Sequence, residues 1–254
     1  MAPLSVILIT HNEAANLHDC LASVAWATEI VVVDAGSTDN TAAIARELGV
    51  RVVETADWPG FGPQKNRALA LANGDWVLAI DADERVTAEL RAEIEQAITK
   101  NDCDAYPIPR LSSYCGRFMR HSGWWPDPVL RLFKRNCARF SADRIHERLV
   151  VEGAVGTLSA PLLHYSFRDL DQVLAKVNHY STESACMLQA QGRQAGLGTA
   201  IIHGLWAFIR TYLLKRGFLD GREGFILAVS NAEGTYYRYL KLMYSAELER
   251  SGGA

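Results

Sequence analysis

Residues 76–84 read WVLAIDADE: five apolar side chains run without a break into a turn carrying three carboxylates, Asp81, Asp83 and Glu84. An apolar run without polar alternation fits a strand buried on both faces, because a half-solvated strand alternates. The segments before it share this grammar. LSVILIT (4–10), EIVVVD (29–34) and VRVVE (50–54) are apolar runs. Helical patterns stand between them. Leu17, Leu21 and Val24 recur at helical spacing, and STDNTAAIAREL has Ser or Thr for a cap and Gly49 just past its end. GPQKNRALALANG has Pro63 in its first turn and Gly74 as a stop, and a fourth helix covers 87–99. Buried strands alternating with helices predict an α/β fold with a mostly parallel sheet flanked by helices. Ligands of such sheets bind at the carboxyl ends of the strands. Thr10-His11-Asn12-Glu13, Asp34 and the Asp81-Ala82-Asp83 turn all fall there.

From Ala105 to about His164 the pattern changes to short strand-like pieces, AYPIPR, VLRLFKR and HERLVV, read as antiparallel additions and loops. The remainder is helical, over 170–191, about 199–215, and 222–248. Two domains are expected, 1–165 and 166–254. The chain has 254 residues and a net charge of −3, which by itself favours no partner class. Its distribution says more: residues 110–148 hold nine Lys/Arg against three Asp/Glu, whereas residues 1–109 hold seven against seventeen. A cationic block in an acidic chain favours an anionic partner. The five cysteines form no C-x-x-C pair, which argues against a zinc site or disulfide framework and for a reducing compartment. No basic region leads into an apolar run and cleavage site, so no signal peptide is expected.

Two aspartates one residue apart at a strand end can present oxygens to a hard cation. The plainer reading is a polar turn opening the next helix, where acids suit the helix dipole. Asp34 stands where a carboxylate could meet a base or ribose; simple capping accounts for Ser37 or Thr38 but not for Asp34. G-x-G-x-x-G is absent after the first strand, and GFGPQK lacks P-loop spacing, so a nicotinamide enzyme and a P-loop ATPase are not expected.

Taken together, SVILITHNEAANL, IVVVDAGSTDNT, GPQKNRALALANGDWVLAIDADE and IHERL resemble glycosyltransferase family 2, whose members have the GT-A fold. LLHYSFRDLDQVLAKVNHYS and YLLKRGFLDGREGF resemble a narrower branch, the bacterial lipopolysaccharide core glycosyltransferases described as beta-glucosyltransferases. The resemblance implies a GT-A domain with a C-terminal helical region and inverting transfer from a UDP-sugar. It places Thr10, Asn12, Glu13 and Asp34 at the nucleotide and Lys65 and Asn66 near the sugar nucleotide. Asp81 and Asp83 match the D-x-D that contacts ribose and a diphosphate-bound Mg2+ or Mn2+, and His164 could complete the metal site. Glu147 is the expected general base, with Asp127 in reserve. Where relatives often carry Asp-Asp, this chain has Asp34-Ala35.

The basic block interleaves Arg110, Arg117, Arg120, Arg131, Lys134, Arg135 and Arg139 with Tyr114, Phe118, Trp124 and Trp125, which suits a phosphorylated or acidic saccharide. No nucleic-acid motif accompanies it, so nucleic acid is not an expected partner. The uncharged run 194–209, followed by Arg210, Lys215 and Arg216, suits a helix lying in an anionic membrane interface, against the plainer reading of a packed helix. The expected setting is the cytoplasmic face of the bacterial inner membrane, with a lipid-linked oligosaccharide acceptor. The rivals are transfer to another cell-envelope glycan, a nucleotidyltransferase, or a catalytically idle sugar-nucleotide binding module. A nucleotidyltransferase would need a Gly-rich basic loop where THNEAAN stands.

Overall fold

A computed structural model describes residues 2–141 and 148–251. The elements of the first hundred residues are β1 (Leu4–Thr10), α1 (Ala14–Ser23), β2 (Glu29–Asp34), α2 (Thr41–Glu47), β3 (Arg51–Glu54), α3 (Phe61–Leu71), β4 (Trp76–Ala79), β5 (Glu84–Val86) and α4 (Ala88–Lys100). There follow β6 (Ala105–Tyr114), β7 (Arg117–Phe118), β8 (Pro128–Lys134), β9 (Ala138–Phe140), β10 (Leu149–Val151) and β11 (Leu162–Phe167). The main sheet runs β3-β2-β1-β4-β8-β6-β11-β5. Its first four strands are parallel neighbours, as the alternating pattern predicts. The later strands add antiparallel edges: β8 joins β4 and β6, and β11 joins β5.

The apolar runs carry no polar alternation because both faces are covered. With side chains alternating along each strand, Val6, Leu8, Val32 and Leu78 enter one core with Leu17, Leu21, Leu90 and Ile94. Ile7, Val31, Val33 and Val77 enter the other with Ala68 and Phe133. Two local expectations are corrected. Helix α2 starts at Thr41 with Asn40 as its cap residue, because Ser37 and Thr38 are bound elsewhere. Helix α3 ends at Leu71 with Ala72 as its cap residue, so Gly74 does not stop it. Gly74 is required by close approach: a Cβ there would lie 2.7 Å from the Ser5 nitrogen.

The chain forms two compact units, residues 1–110 with 127–164, and residues 111–126 with 165–254. In the second unit α5 (Leu170–Ala190) and α6 (Leu197–Ile209) pack on α7 (Gly221–Ser251). A π-helical turn, Arg210–Leu214, continues α6. The segment 111–126 belongs with these helices for identifiable reasons. Tyr114 is buried with its hydroxyl 3.0 Å from Ser230 Oγ, and Asp220 accepts from the Arg120 and His121 amides at 3.0 Å each and from Ser122 Oγ. Gly204 lets α6 approach α7, since a Cβ would sit 3.2 Å from that of Tyr236. All five cysteines are unpaired.

Candidate active site

The acidic turn after β4 is neutralised from within. Pairing of Leu78 with Leu132 brings Arg131 of β8 level with the end of β4. Its Nη2 donates to Asp81 Oδ2 at 2.5 Å and to Glu84 Oε1 at 2.6 Å. Lys65 of α3 reaches Asp81 Oδ1 at 3.3 Å. Glu84 is fully buried and its Oε2 accepts the Asp81 amide at 2.9 Å. Arg85 braces the outside of the turn, donating to the Ala82 carbonyl at 2.8 Å and the Asn16 carbonyl at 2.7 Å. Burial alone would raise the Asp81 carboxyl; the charges of Arg131 and Lys65 outweigh it and hold that group well below the usual carboxylate range. Glu84 moves oppositely: burial, aided by the like charge of Asp81, outweighs Arg131 and pushes its carboxyl up. For Arg131, burial opposes its charge, but the two carboxylates hold its proton more firmly than usual.

Asp83 is treated differently. Pairing of β11 with β5 sets His164 opposite Glu84, and His164 Nε2 lies 3.2 Å from Asp83 Oδ2. Both side chains face a cavity of about 580 Å³ lined also by Thr10, His11, Glu13, Ala35, Trp58, Phe61 and Asp81. The loop after β1 is bound to the loop after β2. Asn12, at φ 56°, donates its amide to Ser37 Oγ at 2.8 Å and accepts the Thr38 amide on Oδ1 at 2.8 Å. Glu13 donates its amide to Thr41 Oγ1 at 2.8 Å. Trp58 and Phe61 meet edge to face at 5.0 Å between ring centroids and leave apolar surface exposed on the cavity.

Other candidates lie elsewhere. Asp34 is 1% exposed, with Thr10 Oγ1 and Ser37 Oγ donating to Oδ2 at 2.8 and 2.6 Å and the Ser37 amide to Oδ1. It ties β1 to the following loop, while its neighbour Ala35 lines the cavity. Asn66 clamps Phe140 through two bonds, Nδ2 to the carbonyl at 2.8 Å and Oδ1 from the amide at 2.9 Å. Asp127 Oδ2 accepts from Arg110 Nε at 3.0 Å and Nη2 at 2.7 Å. Arg110 and Arg131, expected at an anionic acceptor, are thus spent on the protein's own carboxylates. Glu147 lies outside the described residues; β9 and β10, on either side of it in sequence, pair antiparallel. The sequence reading gave no role to Glu84, Trp58 and Phe61. Glu84 had a signal, since a third carboxylate beside D-x-D must find its own counter-charge; the others had none.

Residues 5–150 match the family described as glycosyl transferase family 2. The chain belongs to that family. Along most of its length this glycosyltransferase is also similar to curated relatives. One is an uncharacterized glycosyltransferase of Rickettsia prowazekii (strain Madrid E), 32% identical over 95% of this chain and 87% of the relative. Another is the lipopolysaccharide core biosynthesis glycosyltransferase LpsC of Rhizobium meliloti (strain 1021), 32% identical over 91% of this chain and 88% of that one. Among solved structures, S. aureus TarS residues 1–349 align over 98% of this chain and 92% of that chain with a TM-score of 0.50. At 16% identity that likeness concerns the fold, and the GT-A architecture expected from the sequence is the one observed.

The donor set of this family 2 glycosyltransferase fits a divalent ion at one place. No group of three or more His, Cys, Asp or Glu stands ready for a metal among the described residues. Asp81 is engaged by two cations, which leaves the Asp83 carboxylate and the His164 imidazole as an adjacent oxygen and nitrogen pair on the cavity wall. Two protein ligands suffice where substrate phosphates and water supply the rest, as for ions bound through a nucleotide.

Proposed function

We propose that the protein is an inverting, metal-dependent transferase that moves a hexose, glucose by expectation, from a UDP-sugar to a lipopolysaccharide inner-core saccharide. The Asp83–His164 pair on the cavity wall, beside an acidic turn already neutralised by Arg131 and Lys65, carries the reading. The printed name of LpsC supports the acceptor class. A divalent ion held by Asp83 and His164 would offset charge on the departing diphosphate. Lys65, 3.3 Å from the Asp81 carboxylate that lines the cavity, would add a second positive charge nearby. Trp58 and Phe61 offer apolar faces to the base or sugar. Thr10, Asn12, Glu13 and Asp34 shape the nucleotide edge, with Asp34 acting through Thr10 and Ser37 and Asn66 acting through Phe140. Glu147 takes the acceptor hydroxyl's proton as that oxygen attacks the anomeric carbon. Asp127 is the reserve base, its Oδ2 held by two hydrogen bonds from Arg110.

The test is UDP release from UDP-glucose with a lipid-extracted core acceptor, with and without chelator. We expect acceptor-dependent release that chelation abolishes. Glu147→Gln should keep UDP binding and lower turnover about 10³-fold, within the usual contribution of a general base, while Asp127→Asn stays within about tenfold. Binding of UDP without release under any condition would favour the idle module, and retained turnover in Glu147→Gln would move the base to Asp127.

We propose further that α6 rests on the cytoplasmic leaflet of the inner membrane. The 18 residues Leu197–Leu214 are long and apolar enough to cross a membrane by length and composition, and 22% of them are buried. Ile202, Leu205, Trp206, Leu213 and Leu214 are each more than half exposed, and Lys215 and Arg216 follow. One face packs on α7, which favours lying in the interface over spanning. Replacing Leu205, Trp206 and Leu213 together with Gln should weaken cosedimentation with phosphatidylglycerol vesicles about 100-fold or more, from lost burial of large apolar side chains. Unchanged cosedimentation would remove the membrane assignment.

A further inference from the structure

A second cavity lies wholly inside the helical unit, where no residue of the proposed transfer site stands. It has a volume of about 300 Å³ and is lined by Lys176 of α5, Arg210 after α6 and Arg238 of α7. Ser184 adds a hydroxyl, and Trp124 and Phe167 form an aromatic wall. Among the described residues, no aspartate or glutamate lines it. Three cations brought together without a counter-charge repel one another, so a fold retains such a cluster when something else supplies the negative charge. Arg238 Nε is shielded from solvent and has no hydrogen-bond partner. Arg131 and Arg135 share that feature, yet their guanidinium ends bond to Asp81, Glu84 and the Ala72 carbonyl. Arg238 lies over the Tyr239 ring at 5.8 Å, and Lys176 over the Phe167 ring at 4.5 Å. Neither makes an ion pair with the described residues.

We propose that this cavity is a binding site for a phosphate ester, with the Arg238 and Arg210 guanidinium groups forking its oxygens and Lys176 contributing a point charge. Planar guanidinium donors match phosphate oxygens in pairs, and the aromatic wall suits a carbon skeleton attached to the phosphate. The ester is either a phospholipid headgroup or a phosphate carried on a saccharide. The site stands independently of the donor reading, since it uses none of its residues.

The experiment is calorimetric titration of the full chain with inorganic phosphate, followed by dihexanoylphosphatidic acid and by glucose 1-phosphate. Wild type should bind phosphate saturably, and Lys176→Gln and Arg238→Gln should each weaken it about tenfold or more, the loss expected for one charged contact. Lys176 is exposed, so its replacement leaves the core untouched, and Arg238→Lys, which keeps the charge but loses the fork, should weaken binding less than Arg238→Gln does. Tighter binding of the short-chain lipid assigns the site to a membrane headgroup; tighter binding of the sugar phosphate assigns it to a saccharide. No saturable binding, or binding unchanged in both Gln variants, overturns the proposal.

Discussion

Replacing Asp83 with alanine is expected to lower sugar transfer about 10³-fold, equivalent to about 4 kcal/mol of transition-state stabilisation. Its carboxylate lies 3.2 Å from the His164 ring, and both side chains face the cavity. The fold should be unaffected, because the Asp83 side chain is 29% exposed and lies outside the buried core. Two measurements separate this from a general loss of activity. Divalent-dependent UDP binding, read by calorimetry, should fall with Asp83→Ala and also with His164→Ala, whereas metal-free UDP binding should change little. A thermal midpoint within a few degrees of wild type should accompany both. Turnover of Asp83→Ala within tenfold of wild type would remove the ion from this pair.

Arg131→Met should destabilise the protein by about 3–5 kcal/mol, the range for stripping one partner from a buried ion pair. Arg131 is 4% exposed and Glu84 is fully enclosed, so the substitution leaves a carboxylate that water cannot reach with only the more distant Arg110, at 4.0 Å, as a counter-charge. Typical total stabilities are about 5–15 kcal/mol, so the loss is a large fraction of the whole. Adding Glu84→Gln should restore at least half of it, because the stranded charge, more than the missing contact, is what costs. Asp81 keeps Lys65 in the double variant and remains charged. Urea denaturation of the single and double variants decides the matter. A single-variant shift below about 1 kcal/mol, or no recovery in the double, would show that the three charges do not act as one unit.

These two residues also mark where the sequence stops being informative. Asp83 was legible because D-x-D at a strand end is a local pattern. His164 was expected at the same site, and its position depends on β11 pairing with β5 from about eighty residues away. Arg131 was visible only as one cation among nine in a basic stretch, and nothing local distinguished it from exposed neighbours. Its role follows from a strand register that places its side chain under the acidic turn. Asn66 and Asp34 teach the converse. Both sit in motifs that the family resemblance sets near the nucleotide, yet their side chains are committed to Phe140, Thr10 and Ser37. A motif says where a residue falls along the chain and leaves open which way its oxygen points.

Periodicity and short-range pattern alone determined the alternation of strands and helices, the parallel core, the cavity at the strand ends and the helical C-terminal region. Each of these follows from where apolar side chains must go, and that is written in local spacing. Tertiary structure alone decided which charges meet: Arg131 and Lys65 against Asp81, Arg131 against Glu84, and Lys176, Arg210 and Arg238 gathered around one cavity. The physical reason is that an ionic partner is chosen by distance through space across sheet registers and helix packings, and sequence separation carries almost no information about that distance.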